Sequence, residues 1–436
     1  MCARHAIHVP AFIAAWLCAC LAVPGLVAAS ESVYSDSLQL ADAVNMAVRN
    51  RAEMAAANAR AEAMAERPAI VGALEDPMIS PSIDHYPFDM PNEEGEMGEG
   101  GGGQRYDWSI SVEQRFPLSG VRGYRRDAAR ADADRAKAQA DNTQLDIALD
   151  VQRSFFMLLE RRRMRSVLGE QEALAHQLIS ASSARYASGT GSQADVLRAE
   201  VEAARVRGAQ QALVAQTRAA EAMLNSSMGR APAERVPELV HVPSRDLPLT
   251  AHAAVERALL RRPELVAGEA EIARAKAEVE VMRSMYKPMA TVRVGRASTM
   301  AEGPGAMVMI GVSVPIWRER LRAGVAEARA MQRMADSDLS AMRRMVEGEA
   351  VNARESVEAA RAQFVVIEDE VLPRARAATE TALAAYSSGQ GTLISVIESA
   401  RALWEVQAEQ VMTEAALGEA WARLHRAIGE VQERVP

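Results

Sequence analysis

Tyr186-Ala187-Ser188-Gly189-Thr190-Gly191 returns 200 residues later as Tyr386-Ser387-Ser388-Gly389-Gln390-Gly391, and the echo runs on from Asp195-Val196-Leu197 to Ser395-Val396-Ile397. A second alignment, at an offset of 211, pairs Leu38, Ala43, Val44, Ala47, Arg51, Ala59, Pro77 and Met78 with Leu249, Ala254, Val255, Ala258, Arg262, Ala270, Pro288 and Met289. Two alignments in the same order make the chain a tandem duplication, which decides the architecture before any local reading. The change of offset places about eleven extra residues in the first copy, between Met78 and Tyr186. The acidic, glycine-rich run from Asn92 to Gly103 has no counterpart in the second copy and is the candidate insertion.

The composition of the 436 residues suits long helices rather than a thick globular core. Aromatic residues make up only 4% and charged residues 25%, with much Ala, Glu and Arg. The net charge of −8 offers no basic excess for nucleic acid. At the N-terminus, Arg4 precedes an apolar stretch from Val9 to Val27 and the small residues Ala28, Ala29 and Ser30, which reads as an export signal over residues 1–29. Leu17-Cys18-Ala19-Cys20 offers a rival cleavage site resembling a bacterial lipobox, with Cys20 as the lipidated residue. All three cysteines (Cys2, Cys18, Cys20) lie in this segment, so the mature chain has no disulfide framework. The remainder divides into a first repeat, 30–228, a proline-rich linker, 229–249, and a second repeat, 250–436.

Each copy reads as helix, β-hairpin, very long helix, turn, long helix. The first helix is expected from Leu38 to Glu66 and its copy from Leu249 to Met285. Residues 118–231 contain no proline, and a helix from Val121 to Ala184 would be about 95 Å long at ~1.5 Å per residue. Its apolar residues Leu145, Leu149, Phe156, Leu159, Val167, Leu174 and Leu178 follow coiled-coil spacing. After the glycine turn a partner helix spans Ala194 to Met228. The second copy repeats this from Arg320 to Tyr386, with a kink or break expected at Pro373, and from Thr392 to Glu433. The linker, with Pro232, Pro237, Pro243 and Pro248, is expected to hold little regular structure, with His241 at the surface.

Two stretches alternate with a period of two. Tyr106, Trp108, Ile110 and Val112 interleave with Asp107, Ser109, Ser111 and Glu113, and Val308, Ile310, Val312 and Val314 with Met307, Met309, Gly311 and Ser313. Their hairpin partners are Met78–His85 and Met289–Arg296. One apolar and one polar face suit either a half-buried soluble sheet or a sheet between lipid and water. No later apolar run reaches the ~20 residues of a membrane helix, so entry into a membrane would use strands. In lipid, four strands per chain would then require an oligomer: a closed barrel needs about eight or more, and open edges are forbidden there. Two chains give eight strands and three give twelve. Tyr106 and Trp108 would suit an interfacial aromatic girdle.

These features together resemble the TolC-like outer-membrane efflux family over essentially the whole mature chain. The resemblance is carried by the duplicated Tyr-x-x-Gly turns, by Ala47–Met54 and Ala258–Leu265, by Gln114-Arg115-Phe116-Pro117-Leu118-Ser119-Gly120, and by Val312-Ser313-Val314-Pro315-Ile316. It implies a mainly α fold with β: tandem-duplicated α-helical hairpins and two β-hairpins, assembled as a homotrimer with a 12-stranded barrel in outer-membrane lipid on an α-helical periplasmic tunnel. It also implies a passive exit duct of a tripartite system, with a periplasmic adaptor and an inner-membrane pump, of RND type, as partners. Glu75-Asp76-Pro77-Met78, Met90-Pro91 and the Gln-x-Phe-Pro junction resemble the heavy-metal (CusC/CzcC-like) branch more than the drug branch. Multidrug efflux and type I secretion remain alternatives.

The resemblance places a gate and an adaptor contact at the two turns, around Tyr186, Gly189, Gly191, Tyr386, Gly389 and Gly391. Asp195 matches a gate aspartate, Glu398 keeps an acid at a second gate position, and Tyr386 matches a tyrosine that helps hold the gate closed. Ser395 replaces the aspartate matching Asp195, and Gly391 stands where some members carry a gate arginine. In a trimer, Asp195 and Glu398 would form carboxylate rings that attract cations. As ordinary helix residues they would be solvated charges.

Asp84, His85, Asp89, Met90, Glu93, Glu94, Glu96 and Met97 crowd the first hairpin with oxygen, nitrogen and sulfur, but without ligand spacing. No metal site or cofactor is assigned. His85, His176, His241, His252 and His425 are scattered, and Gly100–Gly103 lies in no βαβ unit, so no catalytic constellation is present and the chain is not read as an enzyme. The reading from a different class is a periplasmic coiled-coil adaptor or scaffold. The paired equal repeats and amphipathic strands favour the channel.

Overall fold

The computed structural model of the protein describes residues 37–85, 106–241, 244–299 and 301–431. The signal segment, Cys20, the 92–103 insertion and six of the eight hairpin residues above (Asp89 to Met97) lie outside them.

The same order of elements occurs twice. The first copy has β1 (Ser37–Gln39), α1 (Leu40–Asn50), α2 (Ala52–Gly72), β2 (Met78–Asp84), β3 (Asp107–Pro117), α3 (Val121–Ala187) and α4 (Gln193–Ser227). The second has β4 (Glu238–Val240), α5 (Ala251–Arg261), α6 (Pro263–Ser284), β5 (Met289–Thr299), β6 (Gly303–Ser313), α7 (Arg318–Val366), a π-helical turn Ile367–Val371, α8 (Leu372–Ser387) and α9 (Leu393–Ala427). The 67 residues of α3 make a rod about 100 Å long at ~1.5 Å per residue. Its alanines Ala129, Ala131, Ala136, Ala138 and Ala140 are buried, letting neighbouring helices approach closely.

The expected break at Pro373 takes the form of the π turn. Proline has no N–H to offer the carbonyl four residues back and its ring crowds that carbonyl. The rod widens just before it, with the Leu372 N–H reaching Ile367 O, five residues back.

Four expectations need correction, three of them in the course of the backbone. The first helix of each copy is not continuous: α1 and α2 part at Arg51 (φ −72°, ψ 129°), and α5 and α6 part at Arg262 (φ −67°, ψ 119°). At Arg262 the cause is local, because Pro263 forces the preceding residue towards extended backbone. At Arg51 the next residue is Ala52, and the break is fixed by tertiary contacts: Arg51 donates to Glu53 Oε1 at 2.9 Å and to Asp150 on α3 at 3.3 Å. The linker is also not structureless, since β4 pairs in parallel with β1, Leu239 opposite Leu38. Finally, α9 ends at Ala427 rather than running to Glu433. The chain leaves through Gly429 at φ +76°, a left-handed conformation that glycine adopts without strain.

Partway along the rods, a core gathers Val44 and Ala47 of α1, Val151, Phe155 and Leu158 of α3, Leu224 of α4, and Leu239 of β4. A matching cluster joins Ala254 of α5, Val357 and Phe364 of α7, and Leu417 and Leu424 of α9. His241, expected at the surface, is instead packed edge-on against Phe156, ring centroids 4.8 Å apart at 81°. Burial and the nearby Arg163 charge push its pKa down to about 4, so the ring is neutral at physiological pH.

At one end of the rods lies a four-stranded antiparallel sheet in the order β2-β3-β5-β6. The register sets Ile79 beside Val112, Val112 beside Val294, and Val294 beside Val308. These residues, with Ile110, Ile310 and Val312, form one face and are exposed, Ile310 by 72%. Successive residues of a strand point to opposite faces, so Ser80, Ser111, Glu113 and Arg293 share the other. From Trp108 to Phe116 the apolar face spans about 26 Å at ~3.3 Å per residue, close to the ~25 Å lipid band of membrane barrels. Beyond β6, on the helical side, Trp317 is 70% exposed and supplies an aromatic residue at the opposite margin from Trp108. Among the described residues no helix is long and apolar enough to cross a membrane. Among the described residues, strands β2 and β6 form the two edges of the sheet and have no further strand paired to them.

Candidate functional site

The opposite end of the rods carries the two echoed turns, and they close with the same hydrogen bonds. The N–H groups of Gly189 and Gly389 donate to Tyr186 O and Tyr386 O at 3.0 and 3.1 Å. Those of Gly191 and Gly391 donate to Arg185 O and Ala385 O at 2.9 Å. Gly189 and Gly389 sit at φ +73° and +83°, where a side chain is strained. A Cβ on Gly191 would lie 2.9 Å from the Arg185 Cβ and one on Gly391 3.0 Å from the Tyr386 nitrogen, so the chain cannot close this tightly with larger residues. Ser192 and Thr392 then cap α4 and α9, each side chain accepting from the N–H three residues on at 3.2 Å.

The side chains break this symmetry. Tyr186 is 51% exposed and Tyr386 only 2%. Tyr386 packs in a cluster with Leu178, Ala199 and Leu393, and Arg185 covers one face of its ring: the guanidinium carbon stands 4.7 Å from the ring centre and Nη1 donates to Tyr386 O at 2.6 Å. Arg185 thereby staples the tip of the first hairpin to that of the second. Sequence reading passed over it, yet the signal was present: 200 residues on, the matching residue is Ala385, so only one of the two tyrosines can be covered in this way.

Asp195 lies in the first turn of α4, where the helix dipole favours an acid, and its carboxylate is 3.4 Å from Arg198. It raises the Tyr386 phenol only as a second cause, after burial, and Arg185 works against both. The Tyr386 hydroxyl is buried and has no hydrogen-bond partner among the described residues. Asp195 and Tyr386 are therefore near each other without being bonded. Glu398 is exposed on α9. One turn along, Arg401 donates to Glu202 of α4, with Nε 3.2 Å from Oε2. A groove of about 290 Å³ between the first hairpin and α9 is lined by Leu174, Leu178, Glu202, Ile397, Arg401 and Trp404.

This geometry carries a prediction. Tyr386→Phe removes an unpartnered buried hydroxyl, so stability in detergent should be unchanged or slightly raised, and the conductance of the resting protein unchanged. A loss of more than about 1 kcal/mol in chemical denaturation, or a leak appearing with the phenylalanine, would show that the hydroxyl holds the tip together.

Two hairpin repeats on one sheet, with matching glycine turns, are the pattern of a known family. The family model described as outer membrane efflux protein matches residues 43–230 and 254–430. The chain belongs to the outer membrane efflux protein family. Among relatives of this efflux protein, the pyoverdine export outer membrane protein OpmQ of Pseudomonas putida is 25% identical over 410 residues, 90% of this chain and 86% of the relative. The cobalt-zinc-cadmium resistance protein CzcC of Cupriavidus metallidurans is 28% identical over 295 residues, 66% of this chain and 69% of the relative. The solved CusC channel shares the fold at a TM-score of 0.77 with 14% identity, over 90% of this chain and 92% of that one. The efflux protein is accordingly a transport protein of the outer membrane and periplasm, not an enzyme.

Near the outer end of its sheet, His85 Nδ1 lies 2.9 Å from Asp107 Oδ2. These groups are paired side by side across the hairpin, and no cluster of three or more metal-ligating His, Cys, Asp or Glu occurs among the described residues.

Proposed function

We propose that three copies of this efflux protein close their sheets into a 12-stranded barrel and their helical hairpins into a periplasmic tunnel. The assembly would be the passive exit duct of a tripartite system with a periplasmic adaptor and an RND-type inner-membrane pump. The observation that carries this reading is the four-stranded sheet with one exposed apolar face and two unpaired edges, set at the end of rods about 100 Å long. In lipid such edges must be paired, and pairing β6 of one protomer with β2 of the next keeps the sheet antiparallel throughout. The groove beside Trp404 is where an adaptor hairpin would dock.

The cargo we propose is heavy metal, supported by the likeness to CzcC and by the sequence features of the first hairpin. The likeness to OpmQ favours a second reading, export of an organic cargo. Growth of a deletion strain on copper, zinc, cobalt and nickel salts, against growth on drugs, separates the two. Unchanged metal tolerance with lost drug tolerance rejects the first.

At the tip, rings of Asp195 and Glu398 carboxylates would set the preference of the gate. The double substitution Asp195→Ala and Glu398→Ala should raise single-channel conductance in planar bilayers and reduce cation preference. If neither quantity moves, the two acids are ordinary solvated helix charges.

A further inference from the structure

On the polar face of the sheet one carboxylate is interred between two arginines. Glu113 of β3 has only 8% of its side chain exposed. Arg293 of β5, directly opposite in register, donates to its Oε2 through Nε at 3.0 Å and also through Nη2. Arg115, two residues along β3 and so on the same face, places Nε 3.3 Å from Oε1. The two cations stay open to the face, with 54% of the Arg115 and 34% of the Arg293 side chain exposed. The close approach of the strands here depends on Gly295, where a Cβ would fall 2.4 Å from Ile110 O. Each unit is an Arg–Glu–Arg clamp with one positive charge in excess. Around it the same face carries Met78, Thr291, Met309 and Ser111, all uncharged. The next acids on β2 and β3, Asp84 and Asp107, pair in register about 20 Å farther out at ~3.3 Å per residue.

In the proposed duct the mainly apolar face, whose charged residue is Arg296 opposite Ile110, meets lipid, so the face of Glu113 lines the lumen. We infer that the barrel carries a girdle of three such clamps, one per protomer, which favours anions over cations at that level. The inference rests on the trimeric duct proposed above and deepens it. Burying Glu113 fixes both guanidinium groups at one height, and the low-dielectric wall focuses their field into the water of the lumen. Solutes carrying carboxylate or phosphate, and metals leaving as anionic complexes, would pass this level more readily than bare cations. The acids at the tip and the arginines of the barrel would act in series.

The test is the reversal potential of the reconstituted protein in planar bilayers under a potassium chloride gradient. The triple variant R115Q/E113Q/R293Q removes the excess charge without leaving an acid or an arginine unpaired. Its anion-to-cation permeability ratio should fall about twofold near 0.1 M salt and further near 0.01 M, as expected for three charges roughly 10 Å from the axis. E113Q alone should raise the ratio. R115Q alone, at a half-exposed residue that can be replaced without disturbing the sheet, removes the same single excess charge and should lower the ratio by about as much as the triple. A conducting R115Q or triple variant with the parent's ratio at both salt concentrations overturns the girdle and leaves the duct standing. A stable, folded single-chain particle with its sheet edges free overturns the duct, and the girdle with it.

Discussion

Arg262→Ala is expected to destabilise the detergent-solubilised protein by about 3 kcal/mol, the loss typical when one partner of a buried ion pair is removed. Arg262 is 2% exposed at the break between α5 and α6. It donates to Glu264 through Nε at 2.9 Å and Nη2 at 3.0 Å, lies 2.9 Å from Glu349 on α7, and reaches Ala427 O at the end of α9. Arg426 of α9 continues the network, 2.8 Å from Glu264 and 2.9 Å from Asp146 on α3. Arg262 thus ties three helices together, and Arg426 links them to α3.

The duplication supplies an internal control. Arg51 holds the same place in the first copy, but its partners Glu53 and Asp150 are both more than half exposed, and water screens the pair. Arg51→Ala should cost far less than Arg262→Ala in the same denaturation experiment. Equal losses would mean that the backbone break, and not the burial of the charge, carries the energy.

The pH dependence has a definite sign. Burial pushes the Glu264 carboxyl up, but its hydrogen bonds from Arg262 and the charges of Arg262 and Arg426 outweigh burial and hold it below its ordinary 4.5. Its contribution is fully present above the unfolded value and is lost as pH falls through the lower folded value. Without Arg262 the carboxyl rises towards its unfolded value, so the variant should lose less stability than the parent on acidification, and the gap between the two should narrow as pH falls.

A comparably large effect is expected at Gly418. A Cβ there would lie 2.2 Å from Phe156 Cε1 and 2.4 Å from two more atoms of the ring. In the middle of a helix, Gly→Ala ordinarily stabilises by about 0.5–1 kcal/mol. Here the ring cannot easily retreat, because Phe156 is buried and meets Phe155 and His241 edge-on. Overpacking of about 1–3 kcal/mol outweighs the helix term, and Gly418→Ala should be net destabilising in thermal unfolding. Pairing it with Phe156→Leu should recover part of the loss. A single alanine variant as stable as the parent would show that the ring moves aside at little cost.

The long helices, the two β-hairpins and the echoed turns were legible because each is written as a period or a repeat. Apolar spacing along α3 and strict alternation along β3 and β6 are local patterns, and the 200-residue echo needs no structure to be seen. What was not legible depended on contacts between distant residues. The three-residue strands β1 and β4 carry no period, and their pairing joins Leu38 to Leu239 across the whole first copy. The Arg51 break had no local cause, although its copy stood beside Pro263. His241 follows a proline-rich stretch, which suggested the surface, while Phe156, 85 residues earlier, drew it inward. At the tip the glycines and caps were readable, but the inequality of Tyr186 and Tyr386 arises from the packing around Tyr386 and from Arg185 reaching across to the second hairpin.

The proposed duct requires closure of the sheet. The most direct measurement is the protein mass of the detergent-extracted outer-membrane particle, corrected for bound detergent. Closure of the four-stranded sheets into the proposed 12-stranded barrel predicts three chains per particle. A stable, folded single chain with its sheet edges free would contradict it.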